Sequence, residues 1–177
     1  MKYHADPTHL EQAAAANPPT IVSVTVVTAN PYRPAARLLI DHLWEELDRR
    51  YGPYPDSRFT PEQIDVPGLL FVIAKADGKP VGCGAILPFS EGVGEIKRMW
   101  VEPDARRQGV AQAILYALES MAAEKGDHTL RLETGIRQPE AIALYTRWGY
   151  APVDCWDVHA DDPLSRCFEK RIKGNER

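Results

Sequence analysis

With 177 residues, the chain is long enough for one domain with a substantial core and short for two. Its 21 Lys+Arg against 25 Asp+Glu give a formal net charge of -4, and the basic residues are dispersed rather than gathered in a stripe, which argues against a nucleic-acid partner. No apolar run approaches the roughly 20 residues needed to cross a bilayer, and Cys83, Cys155 and Cys167 are spaced for neither a disulfide framework nor a Cys-x-x-Cys metal site. The N-terminus lacks the charged-then-apolar order of a signal peptide. The expectation is a soluble cytoplasmic protein with no membrane partner, no disulfide and no metal.

Residues 1–20, with Ala13 to Ala16 followed by Asn17-Pro18-Pro19, read as a flexible arm, residues 21–172 as a single domain, and 173–177 as a tail. Ile21 to Thr28 is a β-branched run that predicts a strand, and Asn30-Pro31 has the residue types of a helix cap and first position. Ile40, Leu43, Leu47 and Tyr51 recur at helical spacing, so this helix ends near Gly52-Pro53, and Tyr51 to Pro67 reads as loop. Leu69 to Lys75, an Asp77-Gly78 turn and Pro80 to Pro88 predict a hairpin, and Glu95 to Val101 continues the sheet.

A second helical stripe, Val110, Ile114, Leu118 and Met121, closes at Gly126. Thr129 to Glu133 is a further strand, and a third helix runs from Pro139 to Trp148 on Ala141, Leu144, Tyr145 and Trp148, stopped by Gly149. Tyr150 to Val153 and Arg166 to Ile172 complete the sheet. This order is mixed α/β and lacks the regular alternation of a doubly wound nucleotide fold.

Between the strand ending at Val101 and the helix from Val110 lies Arg106-Arg107-Gln108-Gly109-Val110-Ala111. A helix entered through Gly and a small residue, with no acid in its first turn, leaves backbone N–H groups free at a positive dipole end, which suits a phosphate. No Gly-Lys-[Ser/Thr] follows, so a P-loop is excluded, and Gly82-x-Gly84 has no third glycine to make a dinucleotide fingerprint. Two adjacent arginines are also compatible with a plain solvated loop.

The loop does not stand alone. Arg-x-x-Gly-x-Ala, preceded by Glu95-Ile-Lys-Arg-Met-Trp-Val101 with Pro103 and followed by Ala141-x-x-Leu144-Tyr145-x-x-Trp148-Gly149-Tyr150, resembles the GCN5-related N-acetyltransferases over about Gly82 to Pro152. The resemblance implies the acyl-CoA N-acyltransferase fold: α/β, a central mixed, mostly antiparallel sheet of six to seven strands flanked by about four helices. It implies acetyl-CoA as co-substrate, direct transfer to an amine, a small molecule rather than a protein, and a homodimer as the family's usual association. Met99, Trp100 and Val101 would pair main chain with the pantetheine arm, the Met99 N–H would face the thioester carbonyl, and Arg106, Arg107, Gln108, Gly109, Val110 and Ala111 would hold the pyrophosphate.

Tyr145 matches the family's general acid, although an aromatic on a helix stripe also reads as core. Glu95 matches a glutamate that takes the proton from the amine in a number of members, and desolvation near the middle of a sheet suits a base; an exposed strand residue is the alternative. Glu133 on the neighbouring strand competes for amine binding or proton removal. Gln138 stands where many members carry an asparagine beside the pantetheine arm. Tyr51, Tyr54, Trp44, Glu45 and Asp56 supply aromatic and acidic groups suited to a cationic amine. His42, His128 and His159 are scattered and read as surface or packing residues. No cysteine stands where a nucleophile is needed, so a covalent acetyl-enzyme is not expected. The rival from another class is an acyl-CoA sensor without turnover, which would need the phosphate loop but neither proton-transfer group.

Overall fold

A computed structural model of the chain describes residues 23–53 and 66–172. The expected arm, the tail, Tyr54, Asp56 and most of the loop after the first helix lie outside these residues. The described chain forms β1 (Val24–Thr28), α1 (Pro34–Tyr51), β2 (Leu70–Ala76), β3 (Lys79–Ser90), β4 (Val93–Val101), α2 (Val110–Lys125), β5 (Thr129–Gly135), α3 (Pro139–Arg147), β6 (Ala151–Val153) and β7 (Ser165–Arg171). Short 3-10 turns occupy Pro103–Ala105 and Asp157–His159. Among the described residues there are three α-helices where about four were expected.

The sheet has seven strands in the order β1-β2-β3-β4-β5-β7-β6. Every pairing is antiparallel except β4 with β5. Asp77 and Gly78 both take positive φ (49° and 82°), the conformation a tight two-residue hairpin requires. α1 begins at Pro34 rather than Pro31, because Asn30 closes a turn instead of capping a helix: its side chain accepts from the Tyr32 N–H (2.8 Å) and its carbonyl from the Arg33 N–H (3.1 Å).

Each face of the sheet is covered by a different helix set. α1 buries Ala36, Leu39, Ile40 and Leu43 against Phe71, Ile73, Cys83, Ala85 and Trp100. On the other face, Val110, Ile114, Leu115 and Leu118 of α2 pack with Val72, Ile86, Ile96, Leu130 and Leu132, and the cluster continues into Tyr145, Tyr150 and Phe168. Strand alternation decides which side chains serve which face. On β5, Leu130, Leu132 and Thr134 are buried toward α2, so Arg131 and Glu133 project on the α1 side.

Two irregularities open the sheet at its centre. In β4, Arg98 and Met99 together oppose the single Gly84 of β3, and Arg98 takes φ 58°. This is a β-bulge. Gly84 is required opposite it, because a Cβ there would meet Ile114 at 2.7 Å and Met99 Sδ at 2.8 Å. The parallel pairing of β4 with β5 runs only from Val93↔Thr129 to Ile96↔Leu132, while β5 stays paired with β7 as far as Gly135↔Ser165. Beyond Ile96 and Leu132 the two central strands therefore part into a wedge.

Candidate active site

The wedge and the loop above it form one side of the site. Met99 and Val101 lie on the diverging part of β4, with side chains packed against the α2 core, so only their main chain is available to a bound molecule. Trp100 points the other way: it is buried in the α1 core with the Arg106 guanidinium 4.7 Å above its ring. Its side chain is therefore turned away from the wedge, and the main-chain role expected of it concerns only its backbone.

Arg106 is also committed elsewhere. Its Nε donates to the Val101 carbonyl (2.9 Å) and its Nη2 pairs with Glu46 of α1 (2.7 Å). Glu46 in turn holds Arg50 (2.6 Å), and His42 pairs with Glu102 at 2.6 Å, so α1 is pinned to the end of β4. These contacts make Arg106 a brace of the loop rather than a free cation facing phosphate.

Arg107 is exposed at φ 59°, and Gly109 caps α2 at φ 84°. Open space surrounds the position a Cβ would take on Gly109, so in this structure backbone conformation, not crowding, calls for glycine. Among the described residues, the N–H groups of Gly109, Val110 and Ala111 donate to no protein acceptor, and α2 has no acid in its first turn. Orphan donors at a helix start fit an anion such as a pyrophosphate. Gln108 bonds the Asp104 carbonyl through its side chain (2.9 Å). Gln138 is the N-cap of α3, where its side chain makes no capping bond.

Tyr145 borders the wedge from the α2 side. Its ring meets those of Tyr150 (5.9 Å) and Phe168 (6.5 Å), so core packing positions it, while its hydroxyl makes no hydrogen bond among the described residues. Burial, reinforced by the field of Glu133, pushes its pKa well above the ordinary tyrosine value. Packing and proton donation are compatible uses of this side chain.

From the α1 side the wedge is met by a polar cluster that the sequence did not announce. Glu133 accepts from the Ser165 hydroxyl (2.8 Å), whose oxygen also lies 3.3 Å from His159 Nδ1 and 3.3 Å from Asp162 Oδ2. A single hydroxyl proton serves one acceptor at a time, and Glu133 is the nearest. His159, expected to be a scattered surface or packing residue, belongs to this cluster.

Glu95 sits further back, opposite Arg131 in the paired part of the sheet, with Oε1 2.9 Å from Lys97 Nζ in an ion pair that is too bent for a directed hydrogen bond. Arg98 lies over Trp44 at 5.2 Å, and burial lowers its pKa to about 10, which leaves it charged at neutral pH. Arg131 lies against two rings, Phe89 (4.0 Å) and Trp156 (3.1 Å), that meet each other edge-on. This part of the site thus carries cations as well as the acids expected from sequence. Tyr51 closes its end: the hydroxyl accepts from the Arg137 N–H (2.9 Å) and packs on Gly135, so it is a fastening of α1 to β5.

The cysteines also depart from expectation. Cys155 and Cys167 form a disulfide across a Cα separation of 5.2 Å. Residues twelve apart meet because β6 pairs back on β7 with Val153 beside Cys167. The bridge straps the segment carrying Trp156, His159 and Asp162 onto the face that bears Glu133. Cys83 is buried, donates its thiol to the Arg98 carbonyl (3.3 Å), and is pushed up to about 12 by burial, a state unsuited to a nucleophile. Among the described residues no helix is long and apolar enough to cross a membrane, and no His/Cys/Asp/Glu group could hold a metal ion.

A splayed parallel strand pair, a bulge at the split and an uncapped helix start thus lie together at the centre of the sheet. The chain belongs to the acetyltransferase (GNAT) family, whose model matches residues 36–150, and it is an N-acetyltransferase by class. It is 37% identical over 155 residues to the IAA acetyltransferase of Azospirillum brasilense, covering 85% of this chain and 99% of the relative. A proposed acyl-CoA N-acyltransferase from Klebsiella pneumoniae superposes with a TM-score of 0.71 at 35% identity, over 85% of this chain and 98% of the other. The paiA N-acetyltransferase of Thermoplasma acidophilum, solved with coenzyme A, shares the fold at a TM-score of 0.66 and 18% identity, over 84% and 99% of the two chains.

Proposed function

We propose that the protein transfers an acetyl group from acetyl-CoA directly to the amine of a small molecule, within a ternary complex. The observation that carries this reading is the placement of two proton-transfer groups on opposite sides of one wedge, Tyr145 from the α2 side and Glu133 from the α1 side. The N–H groups of Gly109, Val110 and Ala111 hold the pyrophosphate, and the thioester lies along the open edge of β4. Gln138 and the main chain of Met99 and Val101 line that path.

Glu133 takes a proton from the substrate ammonium, and the freed amine attacks the thioester carbon. The Met99 N–H faces the oxygen on which charge develops, where a fixed donor lowers the barrier most. As the carbon–sulfur bond breaks, Tyr145 gives its proton to the CoA sulfur, the second proton of the acylated nitrogen restores the tyrosine, and Glu133 returns the first to solvent. Burial first, and the charge of Glu133 second, keep the proton on Tyr145 until the departing sulfur takes it. Glu133 is favoured over Glu95 because it stands on the open part of the wedge, whereas Glu95 is paired with Lys97 where the strands are still joined.

Continuous detection of free CoA thiol tests this, using acetyl-CoA with a panel of amines, amino acids, aminoglycosides and lysine peptides. The expected result is acceptor-dependent CoA release. Tight CoA binding with no release across the panel would instead support an acyl-CoA sensor.

A further inference from the structure

We propose that the acceptor is a zwitterion, an α-amino acid or a close analogue, whose carboxylate is held by the Arg131 guanidinium while its ammonium faces Glu133. The proposal rests on the acetyl-transfer reading above and names the substrate class of the same site.

Arg131 and Glu133 are alternate residues on one face of β5, their Cα atoms separated by roughly 6.7 Å of strand. Leu130, Leu132 and Thr134 occupy the other face. Glu133 lies where β5 has parted from β4, beside the thioester path, and Arg131 lies one step back, where the strands are still paired. A molecule with its amine at Glu133 therefore directs its neighbouring substituent toward Arg131.

The guanidinium is prepared for a carboxylate. Phe89 and Trp156 lie against it, with Cζ 4.0 and 3.1 Å from their ring centroids and the two rings tilted 68° to each other, which holds the guanidinium in place. Its Nε is buried and makes no hydrogen bond, and among the described residues no carboxylate reaches Arg131 within the 4.0 Å of an ion pair. Glu95, Glu169 and Asp157 act on it through their fields only, and Glu95 is already held by Lys97. A planar fork held by two rings and matched by no carboxylate of the protein fits a bidentate carboxylate. At the other end Ser165 fixes Glu133, so the two ends of a zwitterion meet groups of opposite sign at a fixed separation.

Such a site discriminates strongly, because an acceptor lacking the carboxylate leaves a desolvated guanidinium unmatched. The test uses the full chain with saturating CoA. Each common L-amino acid, its primary amide and its decarboxylated amine are titrated calorimetrically, a binding measurement that needs no turnover. At least one amino acid is expected to bind 50-fold or more tightly than its amide and amine. Arg131→Gln should bring that acid down to the level of its amide while leaving amide binding unchanged, and Arg131→Lys should restore part of the preference. Equal binding of acid, amide and amine by the wild-type protein, or no binding of any amino acid, overturns the proposal without recourse to a variant. So does an Arg131→Gln variant that weakens acid and amide equally, the signature of a stacking role alone. Selective binding without CoA release from acetyl-CoA would keep the carboxylate site and sink the transfer reading. Amides and amines acetylated as fast as acids would keep transfer and sink the site.

Discussion

The two sides of the wedge are built from different materials. On the donor side the groups offered are main-chain ones, the N–H groups of Gly109 to Ala111 and the open edge of β4, and the side chains nearby are core or brace. On the acceptor side the groups are side chains drawn from three strands and the segment between β6 and β7: Lys97, Arg98, Arg131, Glu133, Ser165 and His159. On the proposed reading, backbone donors meet the constant part of the reaction, the phosphates and the pantetheine arm. Side-chain clusters meet the part that sets the acceptor.

That difference sorts the expected effects of substitution. The largest should come from Glu133→Gln, which removes the proposed base: kcat near neutral pH should fall by about 10²–10⁴, whereas Glu95→Gln should fall less than about tenfold, on the same scale. Equal losses for the two would break the assignment. Tyr145→Phe should lower kcat by about 10² or more, with CoA affinity unchanged as measured by calorimetry.

The raised pKa of Tyr145 fixes a sign as well. An acid that holds its proton more tightly when folded keeps it above the ordinary tyrosine value, so activity should not decline through Tyr145 ionisation until the pH exceeds about 10. Tyr150, whose hydroxyl meets Glu119 (3.0 Å) beside the Lys170–Glu119 ion pair (2.8 Å), is raised for the same first reason, burial. Above about pH 10 the unfolded chain loses these protons while the folded one retains them, so folding stability should fall as pH rises. Denaturation midpoints measured between pH 8 and 11 should show that fall, and it should be shallower in Tyr145→Phe and Tyr150→Phe.

Smaller effects probe the supports of each side. Gly109→Ala places a side chain at φ 84°, a strain of about 1–2 kcal/mol, readable as a lowered melting temperature and a weaker CoA Kd with acceptor KM unchanged. Ser165→Ala frees Glu133 and should lower kcat about tenfold, roughly 1.4 kcal/mol, while CoA binding stays constant. Reduction of Cys155–Cys167, or Cys155→Ser, loosens the segment with Trp156 and His159 and should raise acceptor KM a few-fold, leaving CoA Kd in place. Thiol counts with and without reductant check that the bridge is formed.

The donor side was legible in the sequence because its determinants are local. Gly109, the stripe from Val110 to Met121 and the run Glu95 to Val101 each announce themselves within a few residues, and the strands and helices they predict agree with the fold to within a residue or two. The bulge at Arg98 was not legible, since it depends on Gly84 and Ile114 on other elements. The acceptor side was hidden for the same reason on a larger scale. Phe89, Arg131 and Trp156 are far apart in the chain and meet only after β3, β5 and the β6–β7 segment assemble. Ser165 and His159 gain meaning only beside Glu133. One signal was available: the alternation of Leu130, Leu132 and Thr134 with Arg131 and Glu133 places two opposite charges on a single strand face.

The most direct measurement of the division between the two sides sets CoA Kd from calorimetry beside turnover from thiol release, for wild type, Glu133→Gln and Tyr145→Phe. The account predicts CoA Kd values within about twofold of one another while turnover falls by about 10² or more in both variants. CoA affinity that falls in step with turnover, or turnover that survives both substitutions, would contradict it.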